Sequence, residues 1–177
     1  MKLFIGSSSY ETIPKKYFDD CRAYLSELFK SDNDLVFGAC SDGLMGLCYD
    51  VAKENGRMIT GITPEFYKDD LSKLECDTEI ITENISKRNE SLIENADSII
   101  FLPGGVGTVY EIFAAIESKR AHEFDKPIVI YNSSNFYDKL ESFLKESYDD
   151  TFISDETYKS FYISHSAEDT LRYLKNY

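Results

Sequence analysis

Residues 101–113 read FLPGGVGTVYEIF, an apolar stub, a proline, three glycines in four positions and then a helical pattern. Gly104, Gly105 and Gly107 have no Cβ, so the backbone there can turn tightly and present its N–H groups to an anion. The run lacks the Lys-Ser/Thr ending of a Walker loop, and its glycine spacing is not that of the dinucleotide fingerprint. Thr108 adds a hydroxyl donor beside such an anion. Two readings of Glu111 stand side by side. In Thr108-x-x-Glu111, hydroxyl and carboxylate fit a capping box that satisfies orphan backbone donors. The same carboxylate, one turn into the helix, could instead do chemistry on a bound ligand. Arg88, within SKRNE, offers a planar charged fork suited to a phosphate or a ribose, although such a run also suits a solvated helix face. Ser7 and Ser8 end an apolar run near the N-terminus and could hydrogen-bond a base or ribose, or simply turn the chain. Asp42 in SDGLMG suits a helix cap, Met45 a core or a base pocket, and His122 a helix C-terminus.

The elements that must position these residues are legible as an alternation. LFIG, LVFGA, MITGI, TEIIT, SIIFLP, PIVIYN and SFYIS are short apolar runs expected to form strands. Between them lie helical patterns. Residues 14–30 start with Pro14, suited to a first helical turn, and align Tyr17, Cys21, Tyr24, Leu25 and Leu28 on one stripe. Residues 43–56 stop at Asn55-Gly56, a natural C-cap. Further helices are expected over 85–96, 108–122, 135–147 and 166–176. Buried strands alternating with helices predict the α/β class: a Rossmann-like, doubly wound, mostly parallel sheet with helices on both faces. Ligands in such folds sit beyond the carboxyl ends of the strands, near the switch point, which places the glycine turn on the ligand edge.

Composition limits the choices. A chain of 177 residues, 42% hydrophobic, is enough for one domain, expected over 1–177. A formal charge of −13 argues against a broad nucleic-acid surface, so an anionic ligand must be small and locally held. Cys21, Cys40, Cys48 and Cys76 form no C-x-x-C pair, and His122 and His165 stand far apart, so neither a zinc site nor a disulfide framework is expected. The opening MKLFIGSSSY is no signal peptide and no run is long enough to cross a membrane. A cytoplasmic protein with reduced thiols is the expectation.

PGGVGTVYE matches P-G-G-x-G-T-x-x-E, and the chain resembles the LOG family of cytokinin riboside 5′-monophosphate phosphoribohydrolases, formerly mislabelled lysine decarboxylases. FIGSSS resembles that family's first strand end, GLMGLCYDVAKENGRMITGITPEF its G-L-M-G helix and following strand, and ISKRNESLIENADSIIFLPGG the segment carrying M-x-x-R-K. KPIVIYNSSNFYDKL fits the next strand and helix, so the similarity runs through nearly the whole chain in order.

The resemblance implies hydrolysis of the N-glycosidic bond of a nucleoside 5′-monophosphate, of AMP or cytokinin type, to free base and ribose 5-phosphate. It places the catalytic pair on Glu111 and Arg88, and the phosphate and substrate contacts on Gly104, Gly105, Gly107, Thr108, Ser8 and Met45. It implies no metal or organic cofactor, a small-molecule nucleotide as the partner, and a homodimer or larger homo-oligomer. Several positions depart from the family pattern: Ala39 and Cys40 replace two glycines before G-L-M-G, Tyr10 a glycine, Ile85 the methionine, Asn89 the lysine after the arginine, and Tyr110 the first glutamate of GTLEE. The loop at Gly38-Ala39-Cys40 is therefore expected to differ in shape. A non-catalytic nucleotide-binding or carrier module is the alternative, and it has no need of a carboxylate at the anomeric carbon.

Overall fold

The computed structural model describes residues 1–177. Seven strands form one sheet: β1 (Lys2–Gly6), β2 (Asp34–Phe37), β3 (Ile59–Pro64), β4 (Thr78–Thr82), β5 (Ser98–Phe101), β6 (Ile128–Tyr131) and β7 (Tyr162–Ser164). Their order is β4-β3-β2-β1-β5-β6-β7, and every neighbouring pair is parallel. The fold is thus the expected Rossmann-like α/β class, and all seven apolar runs are strands.

Each strand is apolar on both faces because both faces are covered. In β1, Leu3 and Ile5 join one core cluster while Phe4 joins the other. The same alternation holds in β5, where Ile100 faces one way and Ile99 and Phe101 the other. Helices α1 (Lys15–Lys30), α2 (Gly43–Glu54) and α8 (Ala167–Asn176) cover the first face. Helices α4 (Ile85–Glu94), α5 (Val106–Arg120), α6 (Asp138–Asp149) and the short α7 (Asp155–Lys159) cover the second. A short α3 (Lys68–Leu71) follows β3 and buries Leu71. Neither α3 nor α7 is expected from the sequence, since four or five residues are too few to show a helical period.

Local chemistry sets several boundaries. Gly56 takes φ +65° after Asn55 and its amide donates to the Lys53 carbonyl, the left-handed helix stop that Asn55-Gly56 suggests. Pro14 stands at the N-cap of α1, one place before the expected first turn, and Asp42 occupies the N-cap of α2 without making a side-chain cap bond. Helix α6 starts at Asp138, later than the expected 135, because Ser134 and Asn135 are left-handed. No helix is long and apolar enough to cross a membrane.

The sheet order reverses at β1, whose neighbours are β2 and β5. Beyond the carboxyl ends of β1 and β5, their two loops are tied together: the Leu102 amide donates to the Gly6 carbonyl at 2.9 Å and the Ser8 amide to the Pro103 carbonyl at 3.1 Å. From the other face the buried Tyr137 hydroxyl donates to the Leu102 carbonyl at 2.8 Å, fixing the root of the glycine turn. Replacing Tyr137 with Phe should lower stability by about 1–2 kcal/mol, because a buried carbonyl loses its donor. Urea unfolding monitored by circular dichroism checks this.

Candidate functional site

A cleft of about 760 Å³ opens at this switch point. One wall is the glycine turn and the start of α5. The N-cap of α5 is Gly105, in a non-helical conformation, and no side chain caps the helix. The first intrahelical amide is that of Val109, bonded to the Gly105 carbonyl, so the amides of Val106, Gly107 and Thr108 have no helical partner. Gly105 and Gly107 have open space where a Cβ would stand, and both line the cleft. Free donors, the positive end of a 15-residue helix and room for an anion coincide there. Gly104 serves differently: it is buried, and a Cβ on it would overlap the Thr108 side chain.

These boundaries decide the local question about Glu111. Because α5 begins at Val106, two residues earlier than the expected 108, Thr108 is the third helical residue and Glu111 the sixth. The capping box is therefore not formed. Glu111 Oε1 instead accepts a hydrogen bond from Arg88 Nη1 at 2.9 Å, a contact between α5 and α4. Both side chains are only 12% exposed, and this is the one ion pair in the chain with both partners so buried. Burial pushes the Glu111 carboxyl above the usual carboxylate range, and the Arg88 charge and hydrogen bond pull partly back. Both residues line the cleft.

Two strand-end glycines make room for the pair. A Cβ on Gly6 would stand 3.0 Å from Glu111 Oε2 and 2.7 Å from the Phe101 ring. A Cβ on Gly38 would overlap Arg88 Nη2, so the guanidinium lies directly on the Gly38 backbone. In the sequence, Gly6 stands only within the FIGSSS strand end and Gly38 only in the loop expected to differ in shape, and neither shows that it makes room for this pair. The available signal was a glycine closing each of two adjacent apolar runs, LFIG and LVFG.

Ser8 and Met45 also line the cleft. The Ser8 hydroxyl accepts from the Tyr10 amide at 3.2 Å and the Ser8 carbonyl accepts from the Met45 amide at 3.1 Å. Ser8 thus ties the β1 loop to the start of α2, while Met45 is half-buried with its side chain on the cleft wall. Gly43, at φ +61°, packs so closely on the Ser8 and Tyr10 backbone that a Cβ would clash. Ser7 is buried, with its hydroxyl unpartnered. Ala39 keeps φ +54°, the left-handed conformation a glycine would supply, so the altered loop still turns there despite the substitution. His122 takes φ +60° just past α5, and its amide donates to the Lys119 carbonyl.

The fold and cleft define a doubly wound α/β protein with an uncapped helix start and a buried Arg–Glu centre on one ligand edge. A family model described as "possible lysine decarboxylase" matches residues 45–174. The chain belongs to that family, the LOG family. It is 31% identical, over 99% of its length and 82% of the relative's, to the cytokinin riboside 5′-monophosphate phosphoribohydrolase LOG2 of Arabidopsis thaliana. It is 29% identical to the probable cytokinin riboside 5′-monophosphate phosphoribohydrolase LOGL6 of Oryza sativa subsp. japonica, over 99% of this chain and 70% of that one. Among solved structures, the molybdenum cofactor binding protein of Rippkaea orientalis shares the fold with a TM-score of 0.73 at 17% identity, over 99% of this chain and 95% of that one. The molybdenum cofactor carrier protein of Chlamydomonas reinhardtii does so with a TM-score of 0.70 at 17% identity, over 99% and 96%.

The dependence of Glu111 on Arg88 is testable without a ligand. Followed by carbon-13 NMR of its carboxyl, Glu111 should titrate above the usual carboxylate range. Gly38→Ala displaces the flexible end of Arg88 and weakens the pull that lowers the value, so the midpoint should move further up. The variant should also unfold more easily, by about 1–3 kcal/mol, because a methyl is forced into occupied space and a buried ion pair is loosened. An unchanged midpoint would contradict the geometry.

Proposed function

We propose that the protein hydrolyses the N-glycosidic bond of a nucleoside 5′-monophosphate of AMP or cytokinin riboside type, giving the free base and ribose 5-phosphate. The observation that carries this reading is the buried Arg88–Glu111 pair standing one helical turn from uncapped amides. Glu111 lies three residues beyond Thr108, about 4.5 Å along the helix axis. A phosphate held at the helix start would set the ribose against Glu111. The names of the relatives support the same chemistry.

Cleavage of the bond leaves positive charge on C1′ and its ring oxygen. A carboxylate fixed beside that carbon stabilises the charge and can take a proton from the attacking water. Water supplies hydroxide to C1′, the C1′–N bond breaks, and the base departs with a proton. Arg88 favours the ionised form of Glu111 against the desolvation that opposes it. The 5′-phosphate binds far from the reacting bond, so its binding free energy can orient that bond. On this reading Gly104, Gly105, Gly107 and Thr108 form the phosphate turn, while Ser8 and Met45 stand on the wall facing base and ribose.

The purified protein should release free base from AMP or from isopentenyladenosine monophosphate, with ribose 5-phosphate as the second product. Adenosine, which lacks the anchor, should have a kcat/KM lower by at least about 100-fold. Chromatography of the products, run across AMP, dAMP, GMP, CMP and the isopentenyl nucleotide, is the measurement. Tight nucleotide binding with no base released from any of them would favour a binding or carrier module instead.

A further inference from the structure

Asn89 follows Arg88 on α4 and is buried, 9% exposed, close to the core residue Leu92 on the same helix. Its Oδ1 accepts from Arg88 Nη1 at 3.4 Å, the nitrogen that also donates to Glu111 Oε1 at 2.9 Å. Those two oxygens are the only side-chain acceptors of the Arg88 guanidinium. The other end of the amide is different: Nδ2 is buried with no hydrogen-bond partner. An unpaired buried donor is destabilising, and an apolar residue of the same shape would not carry that penalty. The only useful contact this amide makes is the one to Arg88.

We infer that Asn89 is a positioning residue for the Arg88–Glu111 centre: its carboxamide oxygen holds the guanidinium over Gly38 and toward Glu111 without bringing a second charge into the pair. The inference rests on the hydrolytic reading for its catalytic consequence, but its geometric part does not. Neutrality matters because the surroundings are already charged or titratable. Glu111 pairs with Arg88 from α4 and lies within the electrostatic reach of the Tyr137 phenol from the segment before α6. Across the cleft, Cys40 lies within the electrostatic reach of Arg88, Asp42 and Asp70. A cation at position 89 would compete with Arg88 for Glu111, whereas an amide oxygen only steers the arginine. The present chain keeps the arginine in position with a dipole.

The test uses the full-length protein with Asn89→Leu and Asn89→Ala, either of which removes the oxygen. Three quantities are read: melting temperature, the carbon-13 titration of Glu111 in ligand-free protein, and kcat and KM for base release. With leucine the melting temperature should hold or rise, while the Glu111 midpoint moves up. Its kcat should fall about 10- to 100-fold with KM changed only a few-fold, as expected when a reacting group is misplaced by a fraction of an ångström to an ångström. Alanine should move the titration and kcat the same way even if packing loss lowers its melting temperature. A Glu111 midpoint unmoved in both the leucine and alanine variants overturns the inference. If the wild-type protein releases no base, the hydrolytic reading fails, and the Glu111 titration alone then decides the positioning role.

Discussion

A carboxylate and a guanidinium kept together away from water are the constraint around which this ligand edge is arranged. Removing two charges from solvent costs several kcal/mol for each in real proteins, and the attraction between them returns that only with close geometry. Such a pair is a poor way to stabilise a fold, and every other ion pair in the chain leaves at least one partner well exposed. Arg88 and Glu111 also do not come from one element. They reach each other from α4 and α5, above the ends of β1 and β2, and both strand ends are glycine where a side chain would intrude.

The same constraint explains why the start of α5 is bare. A capping side chain would occupy the space that an anion needs, and a true capping box would turn Glu111 back on its own helix. Placing the N-cap on Gly105 frees three amides and sends the sixth helical residue toward Arg88. The turn is held from outside the cleft, by the Tyr137 hydroxyl on Leu102 and by the amide of Ser8 on Pro103. On the proposed reading, phosphate anchor and reacting carboxylate are parts of one helix, which is the arrangement orientation effects require.

Much of this was legible before any coordinates. Strand composition reports burial on both faces, and that alone implies a parallel sheet with two helical layers; the glycine turn after SIIFLP then falls on the ligand edge. The residues of the pair were legible through their motifs, but not their contact, because 23 positions separate them and local patterns carry no information on which helices meet. The capping-box reading of Thr108 and Glu111 was compatible with spacing and gave way to a helix boundary two residues earlier, a distance within the ordinary uncertainty of helix ends. Gly6 and Gly38 read as strand ends, since a glycine's sequence neighbours do not reveal that it makes room for a side chain from another element. Ala39 takes a left-handed backbone conformation, which its residue type does not announce.

The central claim is that Glu111 acts on the substrate rather than on its own helix, and one substitution isolates it. Glu111→Gln keeps the shape and one oxygen acceptor for Arg88 while removing the charge. Base release by this variant, measured at saturating nucleotide beside equilibrium binding of the same nucleotide, is the decisive measurement. The account predicts kcat lower by about 100- to 1,000-fold, in the range for loss of an electrostatic transition-state contact, with the dissociation constant within a few-fold of wild type. Turnover close to wild type with binding intact would contradict it.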